Sequence, residues 1–226
     1  MKNKHLHQES LKIIACVTMV MDHIGAFLVP QIWLRCVGRL AFPIYCFLLV
    51  EGFQHTKNPK GYALRLLIGA ILSELPYDLL LSGGISFARQ SVMITLLLGF
   101  LMLQLMKKLP QSWQKILLIL PFYGIAELLQ CDYGGAGILT VAIFAMIPAI
   151  PIQALLLVVL YGSMNGYTLF FLGIPFSIQL LGVISLVPIA LYSGKKITDQ
   201  KWIQWGFYLF YPVHLVLLYI IQEVIL

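Results

Sequence analysis

Apolar runs follow one another along this chain with only short polar breaks, beginning with "LKIIACVTMVMDHIGAFLV" at residues 11–29. As a helix, about 20 such residues span the roughly 30 Å of a bilayer's hydrocarbon core. Nearly every later stretch is comparable, so a soluble fold would have no surface to show water. Composition agrees: 60% of the 226 residues are hydrophobic and only 11% charged, against about 25% charged in an ordinary soluble domain. The fold class expected is all-α, a polytopic membrane helix bundle forming a single unit over 1–226.

Apolar length places spans at 11–29, 34–55, 61–82, 91–108, 113–129, 134–148, 150–164, 172–193 and 203–225. That makes nine, with 133–175 the region where "IPAIPIQ" and "YGSMNGYTLFFLGIP" interrupt the pattern and a re-entrant piece is an alternative. Basic residues gather in alternate loops: Lys2, Lys4 and Lys12; Lys57, Lys60 and Arg65; Lys107, Lys108 and Lys115; Lys195, Lys196 and Lys201. Under the positive-inside rule these loops and the N-terminus are cytoplasmic. The net charge of +6 is therefore read as topology and not as nucleic-acid binding. Cys16, Cys36, Cys46 and Cys131 show no metal-ligand spacing and no disulfide is expected. Lys12, Arg35 and Arg89 are read as interfacial side chains that snorkel.

Ionisable groups inside the spans cost free energy, and that cost makes function their default reading. His23 lies 12 residues past Leu11, roughly 18 Å into the bilayer, with Asp22 beside it. Arg39 sits a turn or so into the second span from its outer end. Glu74 and Asp78, in "SELPYDLLL", are four apart and share a helical face, with Tyr77 between them. Asp132 heads the glycine-rich "DYGGAGI" turn, where capping of the next helix is the plain alternative. His214 sits in the last span, with Tyr211 on the same face. These groups are expected to converge on one pocket in the outer half of the bundle. Glu51, His55 and Arg65 form a second set toward the cytoplasm. Pro43, Pro76 and Pro212 lie close to the polar groups and predict kinks there.

The segments "LKIIACVTMVMDHIGAFL", "GRLAFPIYCFLLVEGF", "RLLIGAILSELPYDLLL", "DYGGAGILTV" and "FYLFYPVHLVLL" resemble, in that order, the TraX family, named for the conjugation protein that acetylates the pilin amino terminus. "ISFARQSVMITLLLGF" matches in part, with Gln90 and Ser91 where an asparagine is expected. The resemblance implies acetyl transfer from acetyl-CoA, a co-substrate and not a bound cofactor, to a pilin-like N-terminus or a surface glycan. It implies His23 as the catalytic histidine, and Arg39, Glu51, Glu74, Tyr77, Asp78, Asp132 and His214 as motif positions. An imidazole with a pKa near 6.5 suits a general base. Asp22 or Glu74 is expected to orient it, a carboxylate from another span being favoured because neighbouring helical residues diverge by about 100°. Arg39 is expected to steady the oxyanion or hold a donor phosphate, and Arg65 to attract the donor. A proton-coupled transporter built on the same charged cluster is the alternative.

Overall fold

The computed structural model describes residues 5–86, 88–171, 173–197 and 200–225; Lys2 and Lys4 lie outside them. The described residues are mostly helical, with one short hairpin. Its elements are α1 (Gln8–His23), a π-helical turn (Ile24–Leu28), α2 (Ile32–Gly38), α3 (Ala41–His55), α4 (Pro59–Ser82), α5 (Val92–Met106), α6 (Ser112–Leu128), α7 (Gly134–Met146) and α8 (Ile150–Gly162). Strands β1 (Thr168–Phe171) and β2 (Ile174–Ser177) follow, then a 3-10 segment (Ile178–Ser185), α9 (Leu186–Ala190) and α10 (Lys201–Ile225).

The helices pack around buried apolar side chains such as Leu11, Ile44, Phe100, Ile138 and Leu215. Their other faces are no less apolar. Ile13 and Val17 on α1, Ile71 and Leu75 on α4, Leu117 and Leu120 on α6, Leu155 and Val159 on α8, and Val213 and Leu217 on α10 are all exposed. Helices apolar on every side are those of a membrane protein. Among the described residues, three stretches are long and apolar enough to cross a bilayer: Gln8–Leu28, Ile32–His55 and Trp205–Val224. Val92–Met106, Gly134–Met146, Ile150–Gly162 and Ile178–Ala190 are shorter apolar helices.

Three departures from the expected spans matter for the site. The first helix ends in a π-helical turn directly after His23, and Val29 N–H reaches back five residues to the Ile24 carbonyl (2.9 Å). The second expected span is broken at Arg39–Leu40 into α2 and α3. Pro43 therefore lies in the first turn of α3, where its missing N–H removes no helical bond and makes no kink. The expected span 172–193 is not one helix. Its first part belongs to an antiparallel hairpin pairing Thr168 with Ser177 and Phe171 with Ile174, around Gly173 at φ 79°. A short apolar run reads the same as strand or helix by periodicity, and the turn conformation open to glycine decides here.

Loop contacts define two ends. At one, the segment before α1 lies along the loop after α9: Leu6 N–H donates to Leu191 O (3.1 Å), Ser193 N–H to Leu6 O (2.8 Å) and Gln8 N–H to Lys195 O (2.9 Å). Lys12, Arg65, Lys107, Lys195 and Lys196 sit here, and we term it the basic end. At the opposite end the turn before α5 meets the turn before α7, with Asp132 N–H donating to Gln90 O (2.8 Å).

Candidate active site

Asp22 and His23 end α1, and their divergence sends them to different partners. Asp22 faces α2. Arg35 Nη1 donates to its carboxylate (2.8 Å) and to its backbone carbonyl (3.1 Å), and Arg39 Nη2 donates to its other carboxylate oxygen. Arg39 also donates to the Arg35 carbonyl (3.2 Å) and to Gln179 Oε1 (3.2 Å). Gly38 makes this clamp possible, because a Cβ there would overlap the Asp22 side chain. Arg35 is thus an ion-pair partner of Asp22 and not the snorkelling residue its place near a span end implied. The break after α2 turns its side chain inward.

His23 faces α10. Its Nδ1 is 2.7 Å from His214 Nε2, with the ring planes 2° apart. His214 Nδ1 is 2.9 Å from the Phe210 carbonyl. That carbonyl only accepts, so His214 Nδ1–H donates and its Nε2 must accept. His23 Nδ1–H is then the donor, which leaves the His23 Nε2 lone pair outside the chain of bonds. The hydrogen-bond partner of His23 comes from another helix and is a histidine, not one of the expected carboxylates. Pro212 lies two residues before His214 and removes the α10 bond to the Tyr208 carbonyl. Tyr211 and Phe27 pack on His23 with ring centroids 6.2 and 5.9 Å away.

The remaining polar groups surround this pair. Asp132 and Tyr133 lie within electrostatic reach of Arg39. Burial of their turn raises the Asp132 carboxyl above the usual carboxylate range, and the Arg39 guanidinium draws it back. The turn is strained, with Gln130 at φ 49° and Tyr133 at φ 64°, a conformation seldom adopted by residues other than glycine. Tyr133 stacks on Phe42 at 3.7 Å, and the Asp132 carbonyl accepts from Thr95. Asp132 does not cap α7. Glu127 does, accepting the Gly135 N–H at 2.8 Å.

Glu74 and Asp78 share a face, as their spacing predicts, but each is engaged locally. Glu74 accepts from Ser91 N–H (3.1 Å) and Ser91 Oγ (2.6 Å) at the start of α5, and Asp78 accepts the Ser86 N–H (3.0 Å). Tyr77 and Glu74 are within electrostatic reach of Tyr211. Glu51 accepts from the Tyr192 hydroxyl (3.1 Å) at the basic end, with His55 3.5 Å away, and Arg65 lies over the Tyr62 and Tyr208 rings.

Two cavities approach the Asp22–His23 pair. The larger, about 650 Å³, opens among Lys12, Arg65, Lys195 and Lys196 and runs inward past Leu48, Leu66 and Met93 to Met19 and Tyr211. Met19 is one helical turn before His23. The smaller, about 390 Å³, is lined by Arg35, Arg39, Gly166, Tyr167, Ile178 and Gln179 at the opposite end. Arg39 is thus on the side of the Asp22 clamp away from the cationic cavity. Gln179 carried no signal in the sequence, since it follows an apolar run and its role depends on the hairpin.

A family model described as TraX protein matches residues 7–222. The chain is 31% identical over 241 aligned residues to the probable fimbrial assembly protein FimC, serogroup H1, of Dichelobacter nodosus, and the match covers 92% of each. An uncharacterised protein of Rickettsia prowazekii (strain Madrid E) is 30% identical over 99 residues, 43% of this chain and 37% of its own. No solved structure matches the chain.

Proposed function

The chain belongs to the TraX family, and from that premise we propose that it is an integral-membrane acyltransferase. It moves an acetyl group from acetyl-CoA to an amine or hydroxyl, an acceptor of the pilin N-terminus or surface-glycan kind. It crosses the bacterial inner membrane nine times, with the basic end in the cytoplasm. The segment 178–190 then counts as a crossing, and the hairpin belongs at the outer surface.

One observation carries the reading. A histidine whose Nε2 has no hydrogen-bond partner among the described residues, held by a second histidine, lies one helical turn beyond Met19 and against Tyr211, the residues at the inner end of a cavity whose mouth is cationic. The acceptor nitrogen or oxygen attacks the acyl carbon as His23 Nε2 takes its proton. The carbon–sulfur bond breaks, and the departing thiolate receives that proton from His23. The acetyl group is now on the acceptor and free CoA returns to the basic end. The imidazolium formed in between is steadied by the His214 Nε2 lone pair, through the proton on His23 Nδ1. Arg39 belongs to the smaller cavity, and its place there fits an acceptor side better than a donor-phosphate site. The fimbrial assembly protein among the relatives agrees with an acceptor of the pilin kind.

The His23–His214 pair between two cavities also fits a proton relay, which keeps the transporter reading as the second. Membranes from cells with and without the protein, compared by mass spectrometry, separate the two. A surface polypeptide or glycan carrying one extra acetyl group only when the protein is present supports the transferase. Proton or solute flux in proteoliposomes without acetylated product supports the transporter.

A further inference from the structure

We propose that the cationic mouth of the larger cavity is a phosphate-anchored nucleotide site, in which Lys12, Arg65, Lys195 and Lys196 hold the phosphates of the donor while its acyl arm passes down the apolar throat. This rests on the acyltransferase reading above and assigns the residues that reading leaves open.

The lining divides sharply by chemistry. The mouth has four cationic side chains. Among the described lining residues the carboxylate is Glu51, which is taken up by the Tyr192 hydroxyl and faced by His55. Lys12 and Lys196 come from opposite ends of the sequence and lie within electrostatic reach of each other. Glu9 is close to Lys12, and its carboxylate accepts the Ile197 N–H (2.8 Å), bracing the lysine loop. Like charges gathered in a concavity raise the local concentration of anions, and ammonium groups are effective phosphate partners. The Tyr62 and Tyr208 rings line the same mouth and carry Arg65 over them.

Below the mouth the lining becomes aliphatic and ends at Met19 and Tyr211. From Lys12 to His23 is 11 helical residues, roughly 16 Å. An acyl-pantetheine chain has about fourteen bonds from phosphorus to acyl carbon. At three backbone bonds per residue it extends to roughly 16 Å as well. Phosphates at Lys12 thus put the thioester carbonyl at the depth of His23. A donor without phosphates has nothing to grip at the mouth.

The test is equilibrium binding to the full chain in lipid nanodiscs, using coenzyme A, its 3′-dephospho form and pantetheine. Coenzyme A is expected to bind most tightly and pantetheine most weakly. Lys195→Ala/Lys196→Ala, on an exposed loop, is expected to weaken coenzyme A roughly tenfold or more and leave pantetheine unchanged. Lys195→Glu/Lys196→Glu is expected to weaken it further, and added salt to weaken it in the native chain. Equal binding of coenzyme A and pantetheine, or lysine variants that bind coenzyme A as the native chain does, overturns the site. Lysine-dependent binding with no acetyl transfer to any acceptor keeps the site and removes the acyltransferase reading. Transfer indifferent to the lysines keeps that reading and removes the site.

Discussion

His214 holds His23 from across the bundle: 191 positions separate them in sequence, and 2.7 Å separate their ring nitrogens. The bond occupies Nδ1 of His23 and leaves Nε2 as the nitrogen that the proposed transfer uses. It also makes the last helix part of a site that begins in the first.

Removing the holder is expected to slow chemistry more than it weakens binding. His214→Ala leaves the His23 ring free to rotate and to change tautomer, and kcat is expected to fall about 10²-fold or more with KM little altered. His214→Gln, whose amide oxygen can accept the same N–H, is expected to recover part of the loss. Steady-state kinetics of the two variants check this, and equal defects count against the orienting role.

The clamp on Asp22 is a matter of stability. Arg39 has 6% of its side chain exposed and Asp22 14%. Arg39→Ala leaves a buried carboxylate with one partner and is expected to cost about 3 kcal/mol. Arg35, with 21% exposed, is expected to cost less. Thermal unfolding in detergent gives the order, and an Arg35→Ala more damaging than Arg39→Ala contradicts it.

Gly38 is expected to be intolerant where the helical glycines Gly124 and Gly206 are not. Its Cβ would collide with Asp22, whereas Gly124 and Gly206 have nothing within 4 Å of theirs. Gly38→Ala should destabilise by about 1–3 kcal/mol, while Gly124→Ala and Gly206→Ala should be neutral or stabilising by up to about 1 kcal/mol. The same melting experiment decides.

Topology is open to direct test. Cysteines placed in the loops near Lys57 and Lys108 are expected to react only with reagents that reach the cytoplasm. Cysteines placed near Gly84 and Asn165 are expected to react from outside. Labelling of Asn165 from the cytoplasmic side removes the nine-crossing arrangement.

Much of this site is visible in the sequence because the bilayer makes polar residues expensive. Asp22, His23, Arg39 and His214 stand out for that reason alone, and helical depth puts them together. What stays hidden depends on backbone events with weak local signatures. Arg35 looks interfacial until the chain breaks after Gly38. Gln179 acquires its place only through the hairpin at 168–177, whose apolar strands imitate a helix. Glu74 and Asp78 show the reverse case: their spacing does put them on one face, but Ser91 and Ser86 take their oxygens. No pattern in the sequence announces which buried carboxylate is already engaged, and the orienting group of His23 was therefore expected to be acidic.

The most direct measurement is acetyl transfer from radiolabelled acetyl-CoA to a pilin-like amino-terminal peptide by the purified chain and by His23→Ala, with coenzyme A binding followed on the same samples. The expected result is transfer by the native chain, loss of transfer in the variant, and undiminished coenzyme A binding in both. A variant that transfers acetyl groups at the native rate contradicts the role assigned to His23.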